Sequence, residues 1–249
     1  MMKANILLLG LIAALAVILG GSMIAARRSW PKHLQELLLS LGAGFILALV
    51  FLKLIPVSFD AIGEAAAFAL LLGFATIHFF EHTVVTHLHF GEETHTEIMV
   101  SHSAALSTMV GLSIHAFFDG LTISVGLQYD FHLGVLIFIA VLLHKFPEGL
   151  TVGSIMMASG FRRRTIVLTA VAIGVATLVG AGSALLVEHV SSWMAGAAFA
   201  FSAGTVVYVG ASDLIPEINK SESRIPPLLV FAGMLLFAAS DWLLETVLR

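Results

Sequence analysis

The chain has 249 residues, of which 59% are apolar and only 11% charged, with a formal net charge of −4. A soluble domain carries about 25% charged residues, so a mean hydropathy of +1.01 excludes a water-soluble globular protein and makes the lipid bilayer the main solvent. Cysteine is absent, which removes disulfides and thiolate metal sites, and no nucleic-acid partner is expected.

In chain order, apolar stretches of about 20 residues, the length that crosses hydrocarbon as a helix, fall at 4–26, 34–55, 61–81, 102–127, 132–158, 165–187, 192–216 and 226–247. No ten-residue alternating pattern suggests a β-barrel. The expected fold is an all-α integral membrane protein with eight transmembrane helices in a single domain, 1–249. The first stretch follows Lys3, but its stronger positive flank, Arg27-Arg28, lies at its far end. That argues for an uncleaved span with its N-terminus outside. The inner loops then hold Arg27, Arg28, Lys32, Arg162, Arg163, Arg164, Lys220 and Arg224, against Lys3, Lys53 and Arg249 outside. This positive-inside bias places both termini outside.

The second stretch contains AGFILALVFLKLIP (43–56), which aligns without gaps on AGTVVYVGASDLIP (203–216) of the seventh. The fourth contains IHAFFDGLTISVG (114–126) and the fifth VLLHKFPEGLTVG (141–153), which share His, a Phe two residues on, a carboxylate at the fourth place and Gly-Leu-Thr. In the expected topology the members of each pair run in opposite directions. Such echoes are left by inverted-topology repeats, so the bundle reads as 3+2+3, with helices 1–3 mirrored by 6–8 and 4 paired with 5. Transporters of this kind bind substrate near the midplane, the depth of His115 and His144.

His115 and Asp119 are four residues apart, as are His144 and Glu148, so each pair shares a helix face. Two imidazoles and two carboxylates at one level suit a divalent metal with nitrogen and oxygen ligands. Pro147 is expected to kink the fifth helix and free the Leu143 carbonyl. Gly120 and Gly149 would let a backbone or an ion approach closely. The plainer reading is a buried hydrogen-bonded tie. Against it stands the cost of about 2.5–3.5 kcal/mol for each Asp or Lys at a helix centre, which marks intramembrane ionisable groups as functional.

Eight spans with HAFFDG in the fourth and HKFPEG in the fifth resemble the ZIP (Zrt/Irt-like) family of divalent metal transporters. The resemblance implies movement of Zn²⁺, and also Fe²⁺, Mn²⁺ or Cd²⁺, towards the cytosol, with the metal as cargo and no prosthetic group. Carried over by position, it makes His115, Asp119, His144 and Glu148 the transport-site ligands. Two departures stand out. Ala116 replaces the family's usual Asn, and Lys145 occupies the place where some members carry an acidic ligand for a second metal. The sixth helix offers no carboxylate, so one metal with Lys145 as a built-in cation is expected.

Six of the eleven histidines fall in 78–102, giving a His-rich cytosolic loop at 82–101 of a kind that binds metal weakly. His78, Glu81 and His82 form its expected structured part. Asp213 falls where the family has an acidic pathway residue, and Lys53 is its mirror in the second helix. Asp241 is expected either to line the inner path or to pair with a Lys or His. The implied partners are the bilayer and the metal, a homodimer is left open, and the implied location is a prokaryotic plasma membrane. An intramembrane metal hydrolase and a proton-coupled carrier of another solute remain as rivals.

Overall fold

The structure, a computed structural model, describes residues 2–27, 32–80, 102–187, 189–219 and 223–247. Among these residues the chain forms eight helical spans and no strand. The first, α1, is Met2–Arg27. The second, α2, covers 32–62 in three pieces: Lys32–Leu49, a π turn at Val50–Leu54, and Ile55–Ile62. Then come α3 (Ala65–Phe79), α4 (His102–Tyr129), α5 (Phe131–Ala158) and α6 (Arg163–Ser183). The seventh, α7, covers 192–219 as Ser192–Tyr208, a π turn at Val209–Leu214 and Ile215–Asn219, and α8 is Ile225–Val247. Seven of these are long and apolar enough to cross a membrane. The 15 residues of α3 rise about 22 Å at 1.5 Å each, and the expected continuation beyond residue 80 lies outside the described residues. Large apolar side chains such as Phe68, Phe231, Leu235 and Trp242 are exposed on the bundle, as a lipid-facing surface requires. The protein is an all-α, multi-pass membrane protein.

Two boundaries differ from the sequence reading. The second helix does not stop at 55, because Pro56 sits in the first turn of Ile55–Ile62, where a missing N–H costs nothing. It ends at Gly63, whose φ of +58° is a conformation that a side chain disfavours, so α3 starts at Ala65 rather than 61. A tight turn joins α4 to α5. The Asp130 carboxylate accepts from the Leu133 N–H at 2.7 Å and caps α5, so the two site-bearing helices are consecutive in the chain and pack on each other.

The packing obeys the expected mirror relation. Helix α1 packs on α5 as α6 packs on α4, and α2 packs on α8 as α7 packs on α3. The glycine contacts repeat it in detail. A Cβ on Gly44 of α2 would lie 1.9 Å from the Val230 carbonyl of α8, and one on Gly204 of α7 would lie 1.9 Å from the Leu70 carbonyl of α3. Gly44 and Gly204 are 160 residues apart, and so are Leu70 and Val230. Both π turns also fall at matching places, Val50–Leu54 in α2 and Val209–Leu214 in α7. Close contacts between helix backbones are the chief source of packing in lipid, where apolar burial offers little drive. The result is two sets of helices. One comprises α1, α4, α5 and α6; the other comprises α2, α3, α7 and α8. They meet where α2 crosses α5 and α7 crosses α4.

Overpacking a tight contact costs about 1–3 kcal/mol. Gly44→Ala and Gly204→Ala should therefore each lower the thermal unfolding midpoint in detergent. Gly182→Ala, which meets nothing within 4 Å, should leave it in place.

Candidate functional site

The sequence places His115 and Asp119 on one face of α4, and His144 and Glu148 on one face of α5. The fold turns those faces together. Gly120 sits against the Thr177 carbonyl of α6, and Gly149 against the Val17 carbonyl of α1. Both glycines therefore serve backbone contact with neighbouring helices and not the approach of an ion. These contacts brace α4 and α5 from behind. On the other side α2 crosses close, with the Cβ position of Gly42 3.6 Å from the His144 Cα. Helix α5 runs continuously through Phe131–Ala158 with Pro147 inside it, where the Leu143 carbonyl receives no N–H from residue 147. The π turns lie in α2 and α7.

His115, Asp119, His144 and Glu148 are all buried, and each offers a ligand atom within 4.8 Å of the others. Asp119 Oδ2 is the hub. It lies 3.3 Å from His115 Nε2 and 3.3 Å from His144 Nε2. Two ligands on a tetrahedral zinc, with bonds of about 2.0–2.1 Å, stand about 3.3 Å apart, so these spacings match a shared ion. The His144 Nε2 to Glu148 Oε2 separation is longer, at 4.0 Å. His144 Nδ1 donates to the Ala140 carbonyl at 2.8 Å, which orients the ring, and Nε2 lies 3.3 Å from Asp119 Oδ2, a contact that an ion held at Nε2 would replace. His115 Nδ1 and Glu148 Oε1 are buried without hydrogen-bond partners, so the donor set has coordinating capacity to spare.

Lys145 completes the cluster. Its side chain is 0% exposed, and its Nζ lies 2.8 Å from Asp119 Oδ2 and 2.6 Å from Glu148 Oε2. One ammonium thus bridges a carboxylate from each helix. Ala116 is fully buried in the apolar cluster formed with Val17 and Ile173, so the position packs and offers no oxygen.

Residues 85–241, more than half of the chain, match the family described as ZIP Zinc transporter. The chain belongs to the ZIP family. It is 26% identical over 159 residues to the zinc transporter ZIP9 of Xenopus tropicalis, covering 61% of this chain and 52% of that protein. It is 30% identical over 151 residues to zinc transporter SLC39A7 of Rattus norvegicus, covering 58% of this chain and 32% of that one. With the Homo sapiens SLC39A7 it shares 32% identity over 128 residues, 49% of this chain and 27% of the other. The chain spans about half the length, or less, of these curated relatives. ZIP proteins are transporters rather than enzymes.

The other residues singled out in the sequence are scattered. His78 is near the end of α3 with its ring edge-on to Tyr208 of α7, centroids 5.7 Å apart. Glu81, His82 and the tract 82–101 lie outside the described residues. Asp213 falls in the π turn Val209–Leu214 of α7, and Lys53 in the mirror turn of α2. Asp241, on α8, pairs with basic groups of two other helices. It lies with Lys53 and His132 at the end of the bundle where α5 begins, which the charge bias assigns to the outside. Its role as a partner of Lys and His is the one seen. Sequence reasoning missed His132 and Glu245 there. The i, i+4 spacing of Asp241 and Glu245 on α8 was the available signal.

Removing one partner of a buried ion pair costs about 3–5 kcal/mol, because the other charge stays buried. Lys145→Met should thus lower the thermal midpoint clearly in the presence of a chelator, and saturating Co²⁺ should recover much of the loss. An unchanged midpoint in chelator would mean that the ammonium does not hold the two carboxylates together.

Proposed function

We propose that this chain carries divalent metal ions, zinc foremost, across the bilayer towards the cytosol, one ion at a time through the α4–α5 cluster. The observation that carries the proposal is the convergence of four buried ligand atoms within 4.8 Å of one another on two helices that cross the membrane. The names of the relatives support zinc, and a donor set of imidazole and carboxylate without sulfur suits it. The same set accepts Fe²⁺, Mn²⁺ and Cd²⁺, and the affinity order places zinc above the first two.

Each residue has a part. An arriving ion sheds water, and His115 Nε2, His144 Nε2, Asp119 Oδ2 and a Glu148 oxygen replace it. The Ala140 carbonyl fixes the His144 ring through Nδ1 and keeps Nε2 turned to the ion. Lys145 sets both number and affinity. Two unit charges 4 Å apart interact by about 4 kcal/mol at an effective dielectric of 20, and a divalent ion doubles that. A fixed ammonium therefore disfavours a second ion and keeps the first from binding too tightly to leave, which conduction also requires. When the ion departs, the ammonium again lies between the two carboxylates, offsets one of their two negative charges and lowers their mutual repulsion.

The membrane proposed is the cell membrane, with the positive loops on the cytosolic side. The animal relatives lend the prokaryotic source no support.

Purified protein in liposomes should take up ⁶⁵Zn²⁺ down its gradient. Asp119→Ala should reduce uptake to the level of protein-free vesicles, and Fe²⁺, Mn²⁺ and Cd²⁺ should compete in proportion to their affinity. Uptake unaffected by Asp119→Ala would remove the cluster from the path. Proton flux without metal would favour the carrier of another solute.

A further inference from the structure

A second cluster lies about 18 Å from His144 along α5, at a rise of 1.5 Å per residue. It brings together three helices that the main site does not unite. His132 stands in the first turn of α5, Asp241 and Glu245 are one turn apart on α8, and Lys53 is in the π turn of α2. His132 Nε2 lies 3.1 Å from Asp241 Oδ1. Lys53 Nζ lies 2.9 Å from Asp241 Oδ1 and 3.5 Å from Glu245 Oε1. His132, Asp241 and Glu245 each offer a ligand atom within 4.8 Å of the others.

We propose that His132, Asp241 and Glu245 form a second divalent-cation site, with Lys53 as the cation that the metal displaces. The composition repeats that of the main site: imidazole nitrogen facing carboxylate oxygen at about the edge length of a zinc tetrahedron, and one ammonium across two carboxylates. The geometry also goes beyond a structural salt bridge. His132 Nε2 and Asp241 Oδ1 are buried atoms, and despite their short separations neither makes a contact with hydrogen-bond geometry. Two such atoms facing each other off the hydrogen-bond direction are arranged as ligands of a common cation are. A tie between helices would need only Lys53 and one carboxylate.

Exposure separates the two clusters. The main-site side chains are all under 10% exposed and Lys145 is 0%, whereas His132 and Asp241 are 20% exposed, Lys53 26% and Glu245 45%. Lys53 can therefore swing its flexible stem into water and yield its place, which Lys145 cannot. Three protein ligands leave a coordination position for water, so this site is the weaker and faster-exchanging one. It sits at the end expected to face outside, where an ion would first meet the protein. The proposal concerns binding alone and does not depend on the main site being a transport site.

The test uses the full chain with His115→Ala and His144→Ala, which disables the main site and leaves 81–101 intact. Bound Co²⁺ is counted by equilibrium dialysis with visible absorption as the readout of coordination. Adding His132→Ala, or separately Glu245→Gln, should each remove one Co²⁺ per chain, while adding Lys53→Met should tighten that ion roughly tenfold. The half-exposed Glu245 keeps the test valid should His132→Ala fail to fold. Equal Co²⁺ counts with and without these substitutions overturn the proposal. So does tightening in Lys53→Met that persists after Glu245→Gln is added. Failure here with normal ⁶⁵Zn²⁺ uptake would leave the transport reading intact, and the converse result would leave this one.

Discussion

A charge carried into hydrocarbon must bring its partner with it, and the bridge from the Lys145 ammonium to Asp119 and Glu148 is how this protein meets that demand. At 2.8 and 2.6 Å the three groups satisfy one another in a place where water cannot. The bridge also ties α4 to α5 at the level of the two histidines. Ligand geometry follows from it, since Asp119 Oδ2 is held between two imidazoles by the same cation that neutralises it. In the proposed reading, that fixed positive charge stands where a second metal would otherwise sit.

The supports around the bridge come from close backbone contact. Gly120 and Gly149 let α6 and α1 press on the outer sides of α4 and α5, while Gly44 and Gly204 do the same for α2 on α8 and α7 on α3. These contacts recur at equal spacing in the two halves, so one packing solution is used twice in opposite directions. The helices that carry the cluster are thus braced as a set. Between the sets the notable glycine contact is Gly42 against Leu143, looser than those within them.

Much of this was legible in the sequence for physical reasons. Hydropathy fixes helices of membrane length because backbone groups in lipid must be satisfied within the segment. The spacings His115–Asp119 and His144–Glu148 fix shared faces, and the echoes at 43–56 and 203–216 fix the mirror relation. Lys145 in reach of Glu148 followed from a one-turn separation. What could not be read depended on contacts between distant helices. Pro147 marks α5, which stays one continuous helix, whereas the π turns fall in α2 and α7, where no single residue type announces them. For Asp241 the sequence left pairing with a Lys or His as one of two roles, and could not name Lys53 and His132 as the partners because they lie on two other spans.

The central claim is that α4 and α5 hold one divalent ion, with Lys145 in place of a second. Diffraction from zinc-loaded crystals, recorded on both sides of the zinc absorption edge, addresses it directly. The account predicts a single anomalous peak between the two helices, within bonding distance of His115, Asp119, His144 and Glu148, with the Lys145 ammonium a few ångströms away. Two peaks between α4 and α5, or a peak that lacks His115 and His144 as ligands, would contradict it.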